Sequence, residues 1–479
     1  MLIKLRNMFY LTLIAGIAGC QTARIPQPKL DLPVPETYAG GTDTTNIADI
    51  KWTDFFNDEE LVSLIKIALE NNPDLNIALQ RMEMARAGML AARGAMQPTV
   101  GAEISAGGRK YGDYTMDGVG NWDTNFSTNI DEKQKIPTNF LPDFVLGFRS
   151  SWEVDLWGKL RSMKKAAYHR FVASEQGRKL IITSLISEIA REYYRLLALD
   201  SELAIMRYNI ELQTKATEAV MILKEAGRAN ELAVSQFSAQ LLNSRGAVVD
   251  ISNAILETEN RINTLLGRFP QPIPRGTPLR LQDFPAKISA GIPVQLMNRR
   301  PDILQAKSEI LAAHSELQAA DLAFLPSLNL SADIGLQSFK SHLLFNPGSL
   351  AYGILGGLSA PLINRKGLKA NRAHRYAELQ EALMYYQKLA VAGFNEVVTE
   401  LQKIENLQEL AKLKEEEVVK WREAVSVSNE LFLVGAANYL EVVTAQNSVV
   451  AAEFDLIHIR EQQFLSLLQL YRSLGGGWE

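Results

Sequence analysis

Cysteine is almost absent from this chain of 479 residues: Cys20 is the only one, so no disulfide can form within the chain. The five histidines lie far apart without metal-ligand spacing. The sequence also has no Ser-His-Asp arrangement, no glycine-rich phosphate loop and no paired zinc motif. These absences argue against an enzyme, and we expect no catalytic residue, no metal site and no cofactor.

Neither sign of charge dominates, because 50 basic residues stand against 54 acidic ones, and neither half is basic enough to suggest nucleic acid as a partner. Beyond the N-terminus, no apolar run reaches the roughly 20 residues of a transmembrane helix. If this chain crosses a membrane, it therefore does so with strands.

The N-terminus has the pattern of a processing signal. Lys4 and Arg6 precede a short apolar run that ends in Ile17-Ala18-Gly19-Cys20. This resembles the lipobox of bacterial lipoproteins, which predicts removal of residues 1–19 and acylation of Cys20. An ordinary secretory peptide with an incidental cysteine is the alternative. Gln21 stands where inner-membrane lipoproteins often carry aspartate, which favours the outer membrane.

Residues 20–57 are predicted to form a lipidated tether. Their first part, up to residue 51, is rich in proline, threonine, glycine and aspartate, which is typical of an extended linker. Loss of Lys4 and Arg6 with the signal makes the mature chain more acidic than the full sequence, whose net charge is −4.

The rest of the chain contains an internal duplication. Asn72-Pro73-Asp74-Leu75 is matched by Arg300-Pro301-Asp302-Ile303, and each motif is followed at the same spacing by another proline, Pro98 or Pro326. Ala226-Gly227-Arg228-Ala229-Asn230 is matched by Val434-Gly435-Ala436-Ala437-Asn438. The second copy is shorter between its two motifs than the first. We therefore expect two structural repeats, residues 58–270 and 271–479.

The spacing of apolar residues along the chain predicts which parts of each repeat are strands and which are helices. Alternation of apolar and small or polar residues predicts strands at about 99–107, 143–154, 327–337 and 350–362. Residues 108–142 are predicted to form a long loop, and a shorter second loop should account for the length that the second copy lacks. Helices are expected from Asp58 to Ala95, with a break at Pro73 that Asn72 could cap. Long helix pairs should cover 162–225 with 231–267, and 367–434 with 438–474.

Four strands per chain cannot close a barrel, and open strand edges are not tolerated in lipid. Several chains must therefore contribute. Two chains would give eight strands and a filled interior, whereas three would give twelve strands and a lumen.

Several motifs resemble those of the outer-membrane efflux protein family, the TolC and OprM group, and the lipoprotein branch in particular. Besides the Asn/Arg-Pro-Asp pair, they are the segments Ser151–Arg161 and Leu433–Val442. The resemblance implies a mixed α/β membrane protein. It would be a homotrimer with a 12-stranded β-barrel, four strands per chain, continuous with a long periplasmic α-helical barrel. Its partners would be a periplasmic adaptor and an inner-membrane RND pump.

The resemblance also implies that the two helix-to-helix turns form the periplasmic gate and contact the adaptor. The turn residues are Gly227, Arg228, Asn230 and Glu231 in the first copy and Gly435, Asn438 and Glu441 in the second. Three copies of Glu441 or Glu231 around a pore would favour cations. Alternatively, both are solvated carboxylates at helix starts. Relatives often carry aspartate where this chain has Ala437, which argues against an acidic gate.

Trp152 and Trp157, at the exit of the second strand, are predicted membrane-interface anchors. The function implied is a passive exit duct for toxic small compounds. Two alternatives are an exit duct for secreted proteins (type I secretion) and a structural or adhesive coiled-coil lipoprotein without a pore. The duplicated strands argue against the second alternative.

Overall fold

The computed structural model describes residues 35, 37–38, 45–279, 282, 284, 289–363 and 365–478. The predicted signal peptide, Cys20 and most of the predicted tether lie outside the described residues. The chain forms two compact units. The first unit contains Ala85–Phe171 and Glu309–Ala382, and the second contains Val172–Ser308, Leu383–Glu479 and the segment that ends at Met84. The repeat boundaries at residue 270 stay a prediction.

Helices account for most of the described chain. In chain order they are α1 (Trp52–Phe55), α2 (Glu59–Asn71), α3 (Pro73–Gly94), α4 (Met116–Thr124), α5 (Lys159–Glu225), α6 (Glu231–Leu265), α7 (Pro293–Arg299), α8 (Pro301–Leu322), α9 (Lys366–Leu433) and α10 (Tyr439–Ser473). The long helix pairs begin and end within one helical turn of the predicted positions. None of the described helices combines the length and apolar content needed to cross a bilayer.

Four strands form one antiparallel sheet in the first unit, in the order β1-β2-β3-β4. They are β1 (Thr99–Arg109), β2 (Leu141–Val154), β3 (Ser327–Ser338) and β4 (Leu350–Ser359). Alternation in the sequence therefore located all four. The β1–β2 connection, 110–140, is much longer than the β3–β4 connection, 339–349. This difference accounts for the shorter distance between the duplicated motifs in the second copy.

The prediction that residues 108–142 are loop throughout was wrong, because α4 lies within them. The Thr115 hydroxyl accepts a hydrogen bond from the N–H of Gly118 at 3.1 Å and caps this helix. The glycines of this segment indicated a loop, although a short helix begins at the Thr115 cap.

The core of the second unit is built on α5, where the apolar stripe of residues 182–197 packs against α2 and α10. Tyr193 lies at its centre, fully buried. Its hydroxyl donates to Asp58 Oδ2 at 3.0 Å and accepts from the N–H of Gly276 at 2.8 Å. Asp58 also caps α2 through the N–H of Glu60. A buried polar group thus finds partners and fixes the start of a helix.

The predicted cap at the break between α2 and α3 is confirmed. Asn72 Oδ1 accepts from the N–H of Leu75 at 3.0 Å, and Pro73 takes the first helical position, where no N–H is needed.

Candidate functional site

The sheet carries an apolar face that runs across all four strands. Residues paired directly across an antiparallel sheet project to the same side, so the register aligns their side chains in rows. Two such rows are Ile104–Leu146–Leu336–Leu350 and Ala102–Phe148–Ile334–Tyr352. Ile104 is 81% exposed and Ile354, on the same face, 86%. Continuous exposed apolar surface of this kind indicates contact with lipid or with another protein.

The opposite face of the sheet is polar. Arg149 Nη2 lies 3.3 Å from Glu103 Oε2 on the neighbouring strand, and Asp333 is paired with Arg149 on the other side. Gln337 Nε2 donates to Asp143 Oδ1 at 2.9 Å. The sheet therefore has one apolar face and one polar face. Within the described chain, β1 and β4 are each paired along one edge only.

The two helix-to-helix turns, at Gly227 and Gly435, have the same geometry. Both glycines adopt the left-handed conformation, with φ of 71° and 78°. After them, the N–H of Arg228 donates to the carbonyl of Leu223 at 2.7 Å, and the N–H of Ala436 to that of Leu431 at 2.8 Å. This closure is the Schellman motif, which explains why glycine stands at both turns.

The second unit brings the two turns together at one end of the long helices. Val220, Phe237 and Val442 are buried in one cluster against Phe432, and the rings of Phe237 and Phe432 lie 6.2 Å apart. Arg228 Nη2 donates to the carbonyl of Leu433 at 3.5 Å. We call the two turns and this cluster the tip. The structure thus brings together the turn residues that the sequence assigned to a common site.

The asparagines and glutamates of the tip cap helices or form ion pairs. Asn230 Oδ1 accepts from the N–H of Ala233 at 2.9 Å and caps α6, while Glu231 forms an ion pair with Lys224. Asn438 and Glu441 form a capping box, in which each side chain accepts from the backbone N–H of the other. Both carboxylates are exposed. The proposed acidic ring stays a prediction, and helix capping accounts for Glu441 without it.

Sequence reasoning missed Lys224, although it neutralises Glu231. Lys224 lies near the end of α5 and Glu231 begins α6, so the turn at Gly227 separates them and no spacing along one helix relates them. Only the folded turn at Gly227 brings the two side chains close together.

The two predicted anchor tryptophans lie at one end of the sheet. Trp152 Nε1 donates to the carbonyl of Met96 at 3.0 Å and Trp157 Nε1 to that of Pro326 at 2.7 Å. The two indoles thus hold the end of β2 against the segments that lead into β1 and β3. Trp157 stays exposed, which an interface role requires, but that role stays a prediction.

The sequence model of the family described as outer membrane efflux protein matches residues 64–268 and 292–476. The solvent efflux pump outer membrane protein SrpC of Pseudomonas putida is 28% identical over 98% of this chain and 97% of its own length. The pyoverdine export outer membrane protein OpmQ of Pseudomonas aeruginosa is also 28% identical, over 99% and 98%. The names of these relatives refer to efflux or export and not to catalysis. The open-state structure of the MtrE outer membrane channel of Neisseria gonorrhoeae has the same fold, with a TM-score of 0.82, 24% identity and coverage of 95% and 98%.

Proposed function

This chain belongs to the outer membrane efflux protein family, and on that premise we propose that it is a passive exit duct of a tripartite efflux system. Its location is the outer membrane, as for its relatives. Three copies would form a 12-stranded β-barrel, and the paired long helices would extend it into the periplasm. Energy would come from an inner-membrane pump that this chain reaches through a periplasmic adaptor.

The observation that carries the proposal is the two-faced sheet. A sheet whose one face is apolar and whose other face bears Glu103, Arg149 and Asp333 fits a wall between lipid and a water-filled lumen. Because β1 and β4 run in opposite directions, β4 of one chain can pair antiparallel with β1 of the next. Closure of that kind satisfies the two edges, which lipid would otherwise leave without hydrogen-bond partners.

The same observation argues against an adhesive coiled-coil lipoprotein, which has no use for an apolar sheet face. We propose that the pump, and not this chain, selects the compound that is exported, since relatives of equal identity are named for solvent efflux and for pyoverdine export. We propose toxic small molecules as the cargo class, and the tip as the gate and adaptor contact. We further propose that acylated Cys20 supplements the barrel as a membrane anchor, with no other cofactor.

Native mass spectrometry of the detergent-purified protein tests the assembly. We expect three chains per particle and a lipid-modified N-terminus. Deletion of the gene should sensitise cells to several unrelated toxic compounds at once. A monomer in detergent, together with unchanged sensitivity to detergents, dyes, antibiotics and solvents, would contradict the proposal.

A further inference from the structure

The buried guanidinium of Arg300 joins three helices in the second unit. It forms a two-pronged contact with Asp302 at the start of α8, with Nη2–Oδ2 at 2.7 Å and Nε–Oδ1 at 3.0 Å. Its Nη1 donates to Glu396 Oε2 on α9 at 2.6 Å and to the carbonyl of Ser473, the last residue of α10, at 3.3 Å. Arg300 is only 9% exposed. We call this group the charged joint.

The backbone around the charged joint is shaped to admit the guanidinium. A Cβ on Gly393 of α9 would lie 2.9 Å from Arg300 Nη1, so only glycine leaves the side chain in its present place. Gly475 has φ of 88°, and a Cβ there would lie 2.9 Å from the backbone N of Arg300. A cavity of about 110 Å³ adjoins the joint and is lined by Arg300, Glu396 and Thr183, whose hydroxyl is buried without a partner among the described residues. The guanidinium therefore borders a cavity that is lined in part by polar side chains.

The corresponding joint of the first sequence half is neutral. Asn72 stands where Arg300 does, and its Nδ2 donates to the carbonyl of Leu265, the last residue of α6, at 2.8 Å. When α5 and α9 are aligned on their terminal glycine turns, Gly393 matches Leu185, which is buried, and Glu396 matches Glu188, which is exposed. At the matching positions, the first helix pair thus has an amide and a buried leucine, whereas the second has an ion-pair network.

The two carboxylates of the charged joint differ in accessibility. The side chain of Glu396 is 42% exposed and that of Asp302 only 16%. If α9 turns and Glu396 withdraws, Arg300 still keeps Asp302 and is not left as an uncompensated buried charge, which would be far more costly. Of the two ion pairs of the joint, the one with Glu396 therefore costs less to break.

A small tilt of α9 at the charged joint produces a large displacement of its end at the tip. Glu396 lies in the middle of α9, and Leu433 ends that helix. At about 1.5 Å per residue the stretch between them is about 55 Å long, so a tilt of about 5° at the joint displaces the far end by about 5 Å.

We propose that Arg300 is a positioning residue whose ion pair with Glu396 holds the α9–α10 pair in the arrangement described here, that the tip is closed in this arrangement, and that the ion pair breaks when the gate opens. The first helix pair has Asn72 in place of Arg300, and its ion pairs lie elsewhere: Arg261 of α6 pairs with Glu192 of α5. This inference rests on the proposed channel function. It adds a residue remote from the tip that sets how often the tip opens.

The test is the open probability of the full-length protein reconstituted in planar bilayers. Glu396→Gln removes the charge but keeps the shape, and we expect a rise of about tenfold, the size that loss of one charge-assisted hydrogen bond allows. Glu188→Gln, the same change at the matching position of the first half, should leave open probability unaltered.

Gly393→Ala separates the joint from general helix stability. Alanine strengthens a helix interior, yet its Cβ would displace the guanidinium, so we expect open probability to rise while the melting temperature does not fall. If Glu396→Gln and Gly393→Ala both gate like the unmodified channel, or if Glu188→Gln has the same effect as Glu396→Gln, the inference is wrong and the channel function stands. A protein that conducts no current under any condition would overturn both.

Discussion

Asn72 donates its side-chain amide to the carbonyl oxygen of Leu265 at 2.8 Å. Arg300 donates to the carbonyl of Ser473 at 3.3 Å, and each partner is the last residue of a 35-residue helix. Both donors open the duplicated Pro-Asp motifs, and both acceptors end the helices that follow the duplicated glycine turns. Different side chains therefore make the same contact, which supports descent of both halves from one ancestral unit.

The apolar face of the sheet gives the first prediction. Ile334→Lys should reduce recovery of the protein in the outer membrane, because a lysine facing lipid near the bilayer midplane costs about 2 to 4 kcal/mol. Ser331→Lys is the matched control, since Ser331 lies on the same strand but faces the other way. Equal recovery of the two variants in membrane fractions would show that this face does not meet lipid.

The glycines at the turns are expected to be sensitive to substitution for backbone reasons alone. A Cβ on Gly435 would meet nothing within 4 Å, so only its φ of 78° opposes Ala. Gly435→Ala should lower the free energy of unfolding by about 1 kcal/mol. Gly246→Ala, in the interior of α6 and also in open space, should raise it by a similar amount. Thermal unfolding of both variants checks the opposite signs.

Glu441 can be tested for a role beyond capping. Glutamine can replace glutamate in a capping box, so Glu441→Gln keeps the helix start while removing the charge. If the acidic ring exists, the preference of the channel for cations over anions should fall without a change in melting temperature. Asn438→Ala should instead destabilise α10 by about 1 kcal/mol. Reversal potentials under a salt gradient that do not shift for Glu441→Gln would leave Glu441 as a cap only.

Asp155, just beyond the end of β2, is expected to make stability depend on pH in acid. Partial burial acts to raise the pKa of its carboxyl, but hydrogen bonds from the backbone N–H groups of Arg161 and Leu160 and from the Arg161 side chain outweigh it, so the pKa is lowered. A carboxyl whose pKa is lowered by folding stabilises the folded protein at pH values above its ordinary pKa. That stabilisation is lost as the pH falls through the lowered pKa. The melting temperature of the unmodified protein should therefore exceed that of Asp155→Asn at neutral pH, and the gap should narrow below about pH 4. A gap that is constant with pH would exclude this role.

Local signals located most of the fold. Apolar alternation placed the strands, and the glycine at each turn with the asparagine after it placed the ends of the long helices, because left-handed caps and side-chain caps depend on a few consecutive residues. The contacts of the charged joint were not predictable. Arg300 and Glu396 are far apart in sequence, and only the path of the chain brings them together. The α4 helix was missed because its glycines and its single cap give a weak signal.

The candidate site divides in the same way. The positions of Gly227 and Gly435 followed from the duplicated motif, but the pairing of Glu231 with Lys224 did not. The sequence of an exposed turn does not identify the ion-pair partner of a charged residue, because a long side chain can reach several neighbours and the folded backbone determines which of them lie close.

Current through a lipid bilayer tests the central claim most directly. Purified protein added to a planar bilayer should produce discrete, uniform conductance steps, with each conducting particle containing three chains, and Ile334→Lys should produce far fewer insertions than Ser331→Lys. Protein that binds to the bilayer through its acyl chains but never yields a conductance step, even after substitutions at the charged joint, would contradict the account.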